Sequence, residues 1–150
     1  DLLVLAESRG RILAYPGPPR IKLFPQVARC FLGEARIGVP MNADVEKLVL
    51  SVDDWCCPVA VPLKAIYVVA APRDVLRDAP VRIDTLSRRD SFLELVRNTF
   101  NSRHVTPDRL ERQFDAMARL SGSLPIKKLV YPRQLDLLSE VRRAILADAA

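Results

Sequence analysis

The run Ile12-Leu13-Ala14-Tyr15-Pro16-Gly17-Pro18-Pro19-Arg20-Ile21-Lys22-Leu23-Phe24-Pro25 decides how this chain is read. Both of its ends have the short apolar or alternating character of strands, and the Pro-Gly-Pro-Pro centre is a turn. Consecutive prolines fix backbone dihedrals and lower the entropy cost of presenting the neighbouring side chains in one geometry. The two-residue period in Arg20-Ile21-Lys22-Leu23 then puts both cations on one side of a strand and both aliphatic residues on the other. Such a pair can act as a two-point clamp for an anion, or it can be a stiff connection whose cations simply face water.

Upstream of this run, Asp1-Leu2-Leu3-Val4-Leu5 reads as the tail of a buried strand, and Arg9-Gly10 as the turn of a hairpin, because glycine readily supplies a positive φ. An apolar run normally comes after a turn or cap, so the opening at Asp1 suggests the later part of a larger protein. Asp1 itself is a candidate for holding Mg²⁺ or accepting a proton from an attacking hydroxyl, against the alternative of a solvated carboxylate at a strand end.

Downstream, Pro25 to Leu32 with Gly33 beyond it reads as a short helix with proline at its start and glycine past its end. Lys47-Leu48-Val49-Leu50-Ser51-Val52 and Ala65-Ile66-Tyr67-Val68-Val69 read as strands. After Pro80 the apolar period lengthens. Phe92, Leu93, Leu95, Val96 and Phe100 make a helical stripe whose start fits either of two capping boxes, Ser91 with Glu94 or Ser87 with Asp90. Thr106-Pro107-Asp108 opens a second helix that Ser121-Gly122-Ser123 is expected to end. Ile126 to Tyr131 is one more strand stopped by Pro132, and residues from about Leu135 to Ala149 form a last helix. The fold class is therefore mixed α and β, in a single domain over residues 1–150, strand-rich first and mostly helical over 86–150.

Size and composition narrow the function classes. A chain of 150 residues with 49% hydrophobic content is long enough for a domain that buries roughly 68–70% of its unfolded surface. The apolar runs are of strand length, far short of the about 20 residues a membrane helix needs. The 23 Lys and Arg outnumber the 18 Asp and Glu, for a net charge of +5, yet the cations are dispersed and no basic block with interleaved aromatics appears. Dispersal argues against nucleic acid as a partner and for a mildly basic surface or an anionic ligand. Cys30, Cys56 and Cys57 are odd in number and lack CxxC spacing, and His104 stands far from them. They read as reduced thiols of a cytoplasmic protein, not as a disulfide framework or a zinc site. Arg97 and Asn98 form a second polar pair on the Phe92 to Phe100 helix, a further candidate contact for substrate or phosphate.

Several of these segments resemble the HPr-kinase-like serine kinases and the HPr-kinase-related proteins, some of which modify ribosomal peptides such as lasso precursors. The residues that carry the resemblance are Asp1 to Leu5, the Tyr15 to Pro25 run, Pro62 to Val68, Phe92 to Phe100 and Ile126 to Arg133. The proline-rich run is the most specific. The resemblance covers nearly the whole chain and implies a fold like that of phosphoenolpyruvate carboxykinase, one mixed, curved sheet with flanking helices, with ATP and Mg²⁺ as cofactors and phosphoryl transfer to a serine of a peptide or small protein. It places Asp1 near the metal and the attacking hydroxyl, as catalytic residue and metal ligand. Arg20 and Lys22 are assigned to substrate or phosphate on chemical grounds.

The chain departs from that family in one respect. Neither a GxSGxGKS-type phosphate loop nor any GxxxxGK[ST], GxGxxG, GxSxG or HExxH motif occurs in it. The loop's amides and lysine supply much of the stabilisation of a transferring phosphoryl group, and each such anchor is worth on the order of 10²- to 10³-fold in rate. Residues 1–150 alone are therefore expected not to turn over ATP. Two readings are open: the carboxy-terminal part of an ATP-dependent serine kinase, or a non-catalytic module that binds a peptide or anionic partner. A fragment without its opening strands would also leave a sheet edge open, so a homo-oligomer is expected.

Overall fold

A computed structural model describes residues 3–33, 38–99 and 106–150. The chain divides into two compact units, Asp1–Pro62 and Leu63–Ala150. The described residues are mixed α and β, with four α-helices and three small sheets. The strands fall into three sheets of three, where the resemblance implies one mixed, curved sheet.

The first unit contains, in order, β1 (Val4–Ser8), β2 (Arg11–Tyr15), β3 (Arg20–Leu23), α1 (Pro25–Leu32), β4 (Val39–Pro40), β5 (Leu48–Ser51) and β6 (Val61–Pro62). β1 and β2 form the expected hairpin. Ser8 lies opposite Arg11, which leaves Arg9 and Gly10 as a two-residue turn with φ of 50° and 73°. Two successive positive φ values match the twist of the flanking strands. β6 pairs with the other side of β2. In the second sheet β5 lies between β3 and β4, antiparallel to both. α1 starts on Pro25 and stops at Gly33, whose φ of 73° suits a residue without a side chain.

The β3–β5–β4 sheet has one apolar face. Ile21 stands opposite Leu50 and Leu23 opposite Leu48, and Leu50 is buried at 1% exposure. Gly38 approaches this face closely. A Cβ there would lie 2.8 Å from Leu48 Cβ, 3.1 Å from Leu50 Cγ and 3.3 Å from the Val49 carbonyl oxygen. Neither the strand backbone nor the first side-chain carbon of Leu48 can turn aside. Gly38→Ala is therefore expected to destabilise the first unit by about 1–3 kcal/mol, the usual cost of overpacking, read as a lower denaturant midpoint.

The second unit contains β7 (Ile66–Val69), β8 (Arg82–Thr85), α2 (Arg88–Arg97), α3 (Pro107–Ser123), β9 (Ile126–Val130) and α4 (Leu138–Asp148). β9 is the central strand, parallel to β7 and antiparallel to β8. It carries buried Ile126, Leu129 and Val130, so both of its faces are covered. α2 begins at Ser87, whose hydroxyl accepts from the Asp90 amide at 3.1 Å and donates to the Asp90 carboxylate at 2.6 Å. Of the two possible capping boxes the one at Ser87 is used, because Ser91 is buried at 3% exposure inside the helix. Phe92 meets Phe114 edge to face, with ring centroids 4.9 Å apart, where α2 packs on α3. Thr106 takes the N-cap position of α3 with extended backbone, but its side chain makes no capping hydrogen bond.

α3 runs through Ser121-Gly122-Ser123 instead of ending there. The hydroxyls of Ser121 and Ser123 donate back to the carbonyls of Ala118 and Arg119, and the helix stops before Pro125. Gly122 lies beneath the Arg88 guanidinium, 3.1 Å from where a Cβ would stand.

The end of α4 is fastened to this sheet by polar contacts. Tyr67 and Lys127 are direct partners across the β7–β9 pair, and both reach Asp148. The Tyr67 hydroxyl donates at 2.5 Å, and Lys127 Nζ donates to both carboxylate oxygens at 2.7 and 2.8 Å. Lys64 Nζ adds a 2.9 Å bond to the Ala149 carbonyl. The Lys127 and Tyr67 hydrogen bonds hold the Asp148 carboxyl below its ordinary range. Burial, together with the hydrogen bond to Asp148 and its charge, pushes the Tyr67 phenol up to about 12.

A carboxylate whose folded-state pKa is lowered stabilises the fold fully above its unfolded value, about 3.9, and loses that contribution as pH falls through the folded value. Asp148→Asn is therefore expected to lower the thermal midpoint at pH 7, and the gap to the parent chain should narrow below about pH 4. Parallel melts across that range test this. A gap that stays constant down to the most acid pH would assign the effect to something other than the charge.

Candidate anion-binding face

The outward face of the β3–β5–β4 sheet carries the strongest candidate site. Prolines set up its first strand. The Arg20 amide donates to the Pro18 carbonyl at 2.7 Å, closing a three-residue turn centred on Pro19, whose ring-locked φ suits it. The Val52 amide donates to the Pro19 carbonyl at 2.8 Å and ties the same turn to the end of β5. Arg20 and Lys22 then project from the side of β3 opposite Ile21 and Leu23, as the sequence period requires, with Cα atoms roughly 7 Å apart by strand rise. Their partners on β5 are Ser51 and Val49.

A third cation joins them. The register that pairs Leu23 with Leu48 brings Lys47 beside Phe24, and Lys47 Nζ lies 5.2 Å from the centre of the Phe24 ring. The Met41 amide donates to the Lys47 carbonyl at 2.8 Å, which fixes the backbone there. Phe24 is 45% exposed, so an aromatic ring carrying a cation lies just past the end of the strand that holds Arg20 and Lys22. Among the described residues neither Arg20 nor Lys22 is in an ion pair. The nearby acid is engaged elsewhere, since the Ser51 hydroxyl donates to the Asp53 carboxylate. Lys47 is not visible as a site residue in the sequence, because nothing local connects it with Phe24. Only the strand register does.

The other sequence candidates are placed differently. Asp1, the proposed metal ligand and catalytic residue, lies outside the described residues, as does His104. Arg97 and Asn98 belong to the second unit, in the last turn of α2, and both serve the helix itself. Arg97 Nη1 pairs with Glu94 Oε1 at 2.9 Å, and Asn98 Nδ2 donates to the Glu94 carbonyl at 2.9 Å. Arg20 and Lys22 are thus brought together on one strand, and Arg97 and Asn98 on one helical turn of the other unit.

Among the described residues no group of three or more His, Cys, Asp or Glu side chains is assembled as a metal site. No helix among them is long and apolar enough to cross a membrane. Cys30, Cys56 and Cys57 are free and exposed thiols. Compared with known proteins, the chain matches no family model, no curated protein and no solved structure.

Proposed function

We propose that this chain is the carboxy-terminal part of an ATP-dependent serine kinase with a fold like that of phosphoenolpyruvate carboxykinase, and that its β3–β5–β4 face holds the anionic end of the substrate. The reading combines the sequence resemblance with one structural observation: Arg20 and Lys22 lie on the same side of β3 beside a backbone stiffened by proline, with Lys47 over Phe24 just past the strand end.

Each cation does something different there. Arg20 offers a planar fork of donors that matches the oxygens of a phosphate or carboxylate in pairs. Lys22 and Lys47 act as point charges, and Phe24 gives a flat apolar surface for a base or side chain. A polyphosphate such as that of ATP fits the face by charge, and ATP would supply the transferred phosphoryl group. The described residues offer no ligand set for Mg²⁺, so its site in this proposal rests on Asp1 and residues beyond this chain. Association into oligomers is also proposed, through the outer edge of β1, where Leu3 and Val4 are 58% and 62% exposed.

The second reading, a non-catalytic module for a peptide or other acidic partner, is favoured by the completeness of the cationic face within the first unit. Mass spectrometry of serine-containing peptides incubated with the full-length gene product, ATP and Mg²⁺ separates the two. Addition of one phosphate to a serine supports the kinase, and binding of the same peptides without transfer leaves only the module.

A further inference from the structure

In the second unit, β7 and β9 run parallel, and the segments leaving their carboxyl ends line an open crevice of about 440 Å³. Its walls are Pro72, Val75, Leu76 and Arg77 after β7, and Pro132, Arg133, Gln134 and Asp136 after β9. The volume lies within the roughly 300–1,000 Å³ of small-molecule sites, and the carboxyl ends of parallel strands are where open α/β sheets bind ligands.

The lining is polar in a specific way. Arg133 is held in place: its Nη2 donates to the Ala70 carbonyl at 3.2 Å, and its guanidinium lies 5.5 Å from the centre of the Tyr131 ring. Most of its other donors remain for a ligand. Gln134 Nε2 donates to the Arg77 carbonyl at 3.1 Å and braces one wall against the other. Asp136 lines the same crevice, yet among the described residues no ion pair joins it to Arg77 or Arg133. Residues of opposite charge thus line one crevice without an ion pair between them among the described residues. Leu76, on the rim, is 81% exposed, an apolar side chain left in water.

From this arrangement we infer that the crevice binds a free α-amino acid with an apolar side chain. The carboxylate is taken by Arg133 and Arg77, the ammonium by Asp136, and the side chain covers Leu76 and Val75. A simple oxyanion would leave the Asp136 carboxylate facing a negative charge, which the zwitterion avoids. The inference is independent of phosphoryl transfer and of the β3 face.

The test is an NMR titration of the 150-residue chain with L-leucine, N-acetyl-leucine, leucine amide and inorganic phosphate. Saturable shifts at Arg77, Arg133 and Asp136 are expected with leucine. The two blocked forms, each lacking one charged hydrogen-bonding group, should bind at least about tenfold more weakly. Arg133→Ala should abolish leucine binding. Arg77→Ala, away from the Ala70 contact, should weaken it about tenfold while leaving the helical circular dichroism unchanged. Asp136→Asn should remove the preference for leucine over N-acetyl-leucine. Absence of shifts with leucine, equal binding of the acetylated form, or phosphate binding more tightly than leucine would each overturn the assignment.

Discussion

Replacing Ile126 with alanine is expected to lower the stability of the second unit by about 2–5 kcal/mol, the largest effect of any single truncation in this half of the chain. Ile126 is 1% exposed on the central strand, paired with Ile66 on the β7 side. Its carbonyl accepts from the Leu86 amide at 3.0 Å, which anchors the chain just after β8. The main chain on both sides is thus held by hydrogen bonds, and the cavity left by a truncated side chain cannot collapse easily. Ile126→Val removes one methylene and should cost only about 0.5–1.5 kcal/mol. Helical circular dichroism is a suitable probe in a denaturant series, because α2, α3 and α4 all belong to this unit. A loss below about 1 kcal/mol for the alanine variant would mean that the strand can close over the gap.

The second large effect concerns binding. Arg20→Ala and Lys22→Ala should each weaken the binding of pyrophosphate to the 150-residue chain by about ten- to a hundredfold, the range for loss of a charged hydrogen bond of roughly 1.5–3 kcal/mol. Arg20→Lys should fall between parent and alanine variant, since it keeps the charge but loses the paired donor geometry. Lys47→Ala should weaken binding too and free the Phe24 ring from its cation. The fold should be nearly indifferent to these changes, because the side chains project from the face opposite the apolar contacts of Ile21 and Leu23. Raising the salt concentration should weaken binding to the parent chain and have less effect on the variants, whose charge is reduced. Equal affinities in parent and double variant would remove this face from the function.

Local chemistry makes part of this fold legible. The Arg9-Gly10 hairpin, the Pro25 start of α1 and its Gly33 end are each decided by one or two residues with restricted or unusually free dihedrals, and all three are present. The start of α2 is not decidable locally, because Ser87 and Ser91 both precede a carboxylate at the right spacing. Burial of Ser91 decides it, and burial is a tertiary fact. α3 outlasts its sequence signal, since serine and glycine break helices on average. Here the serine hydroxyls bond back to the preceding turn, and the glycine makes room for Arg88. β8 has a weak signature because Arg82-Ile83-Asp84-Thr85 has a single large apolar side chain, which is what a strand at the edge of its sheet needs.

For the site, the two-residue period announces Arg20 and Lys22, while Lys47 and the β7–β9 crevice depend on pairings between distant segments that no local pattern encodes.

The most direct measurement is a backbone NMR titration of the 150-residue chain with pyrophosphate, reading which amides move. The account requires saturable shifts centred on Arg20, Lys22, Phe24 and Lys47, lost in the Arg20→Ala and Lys22→Ala double variant. Shifts that never saturate, or that gather on other residues and persist in the double variant, would contradict it.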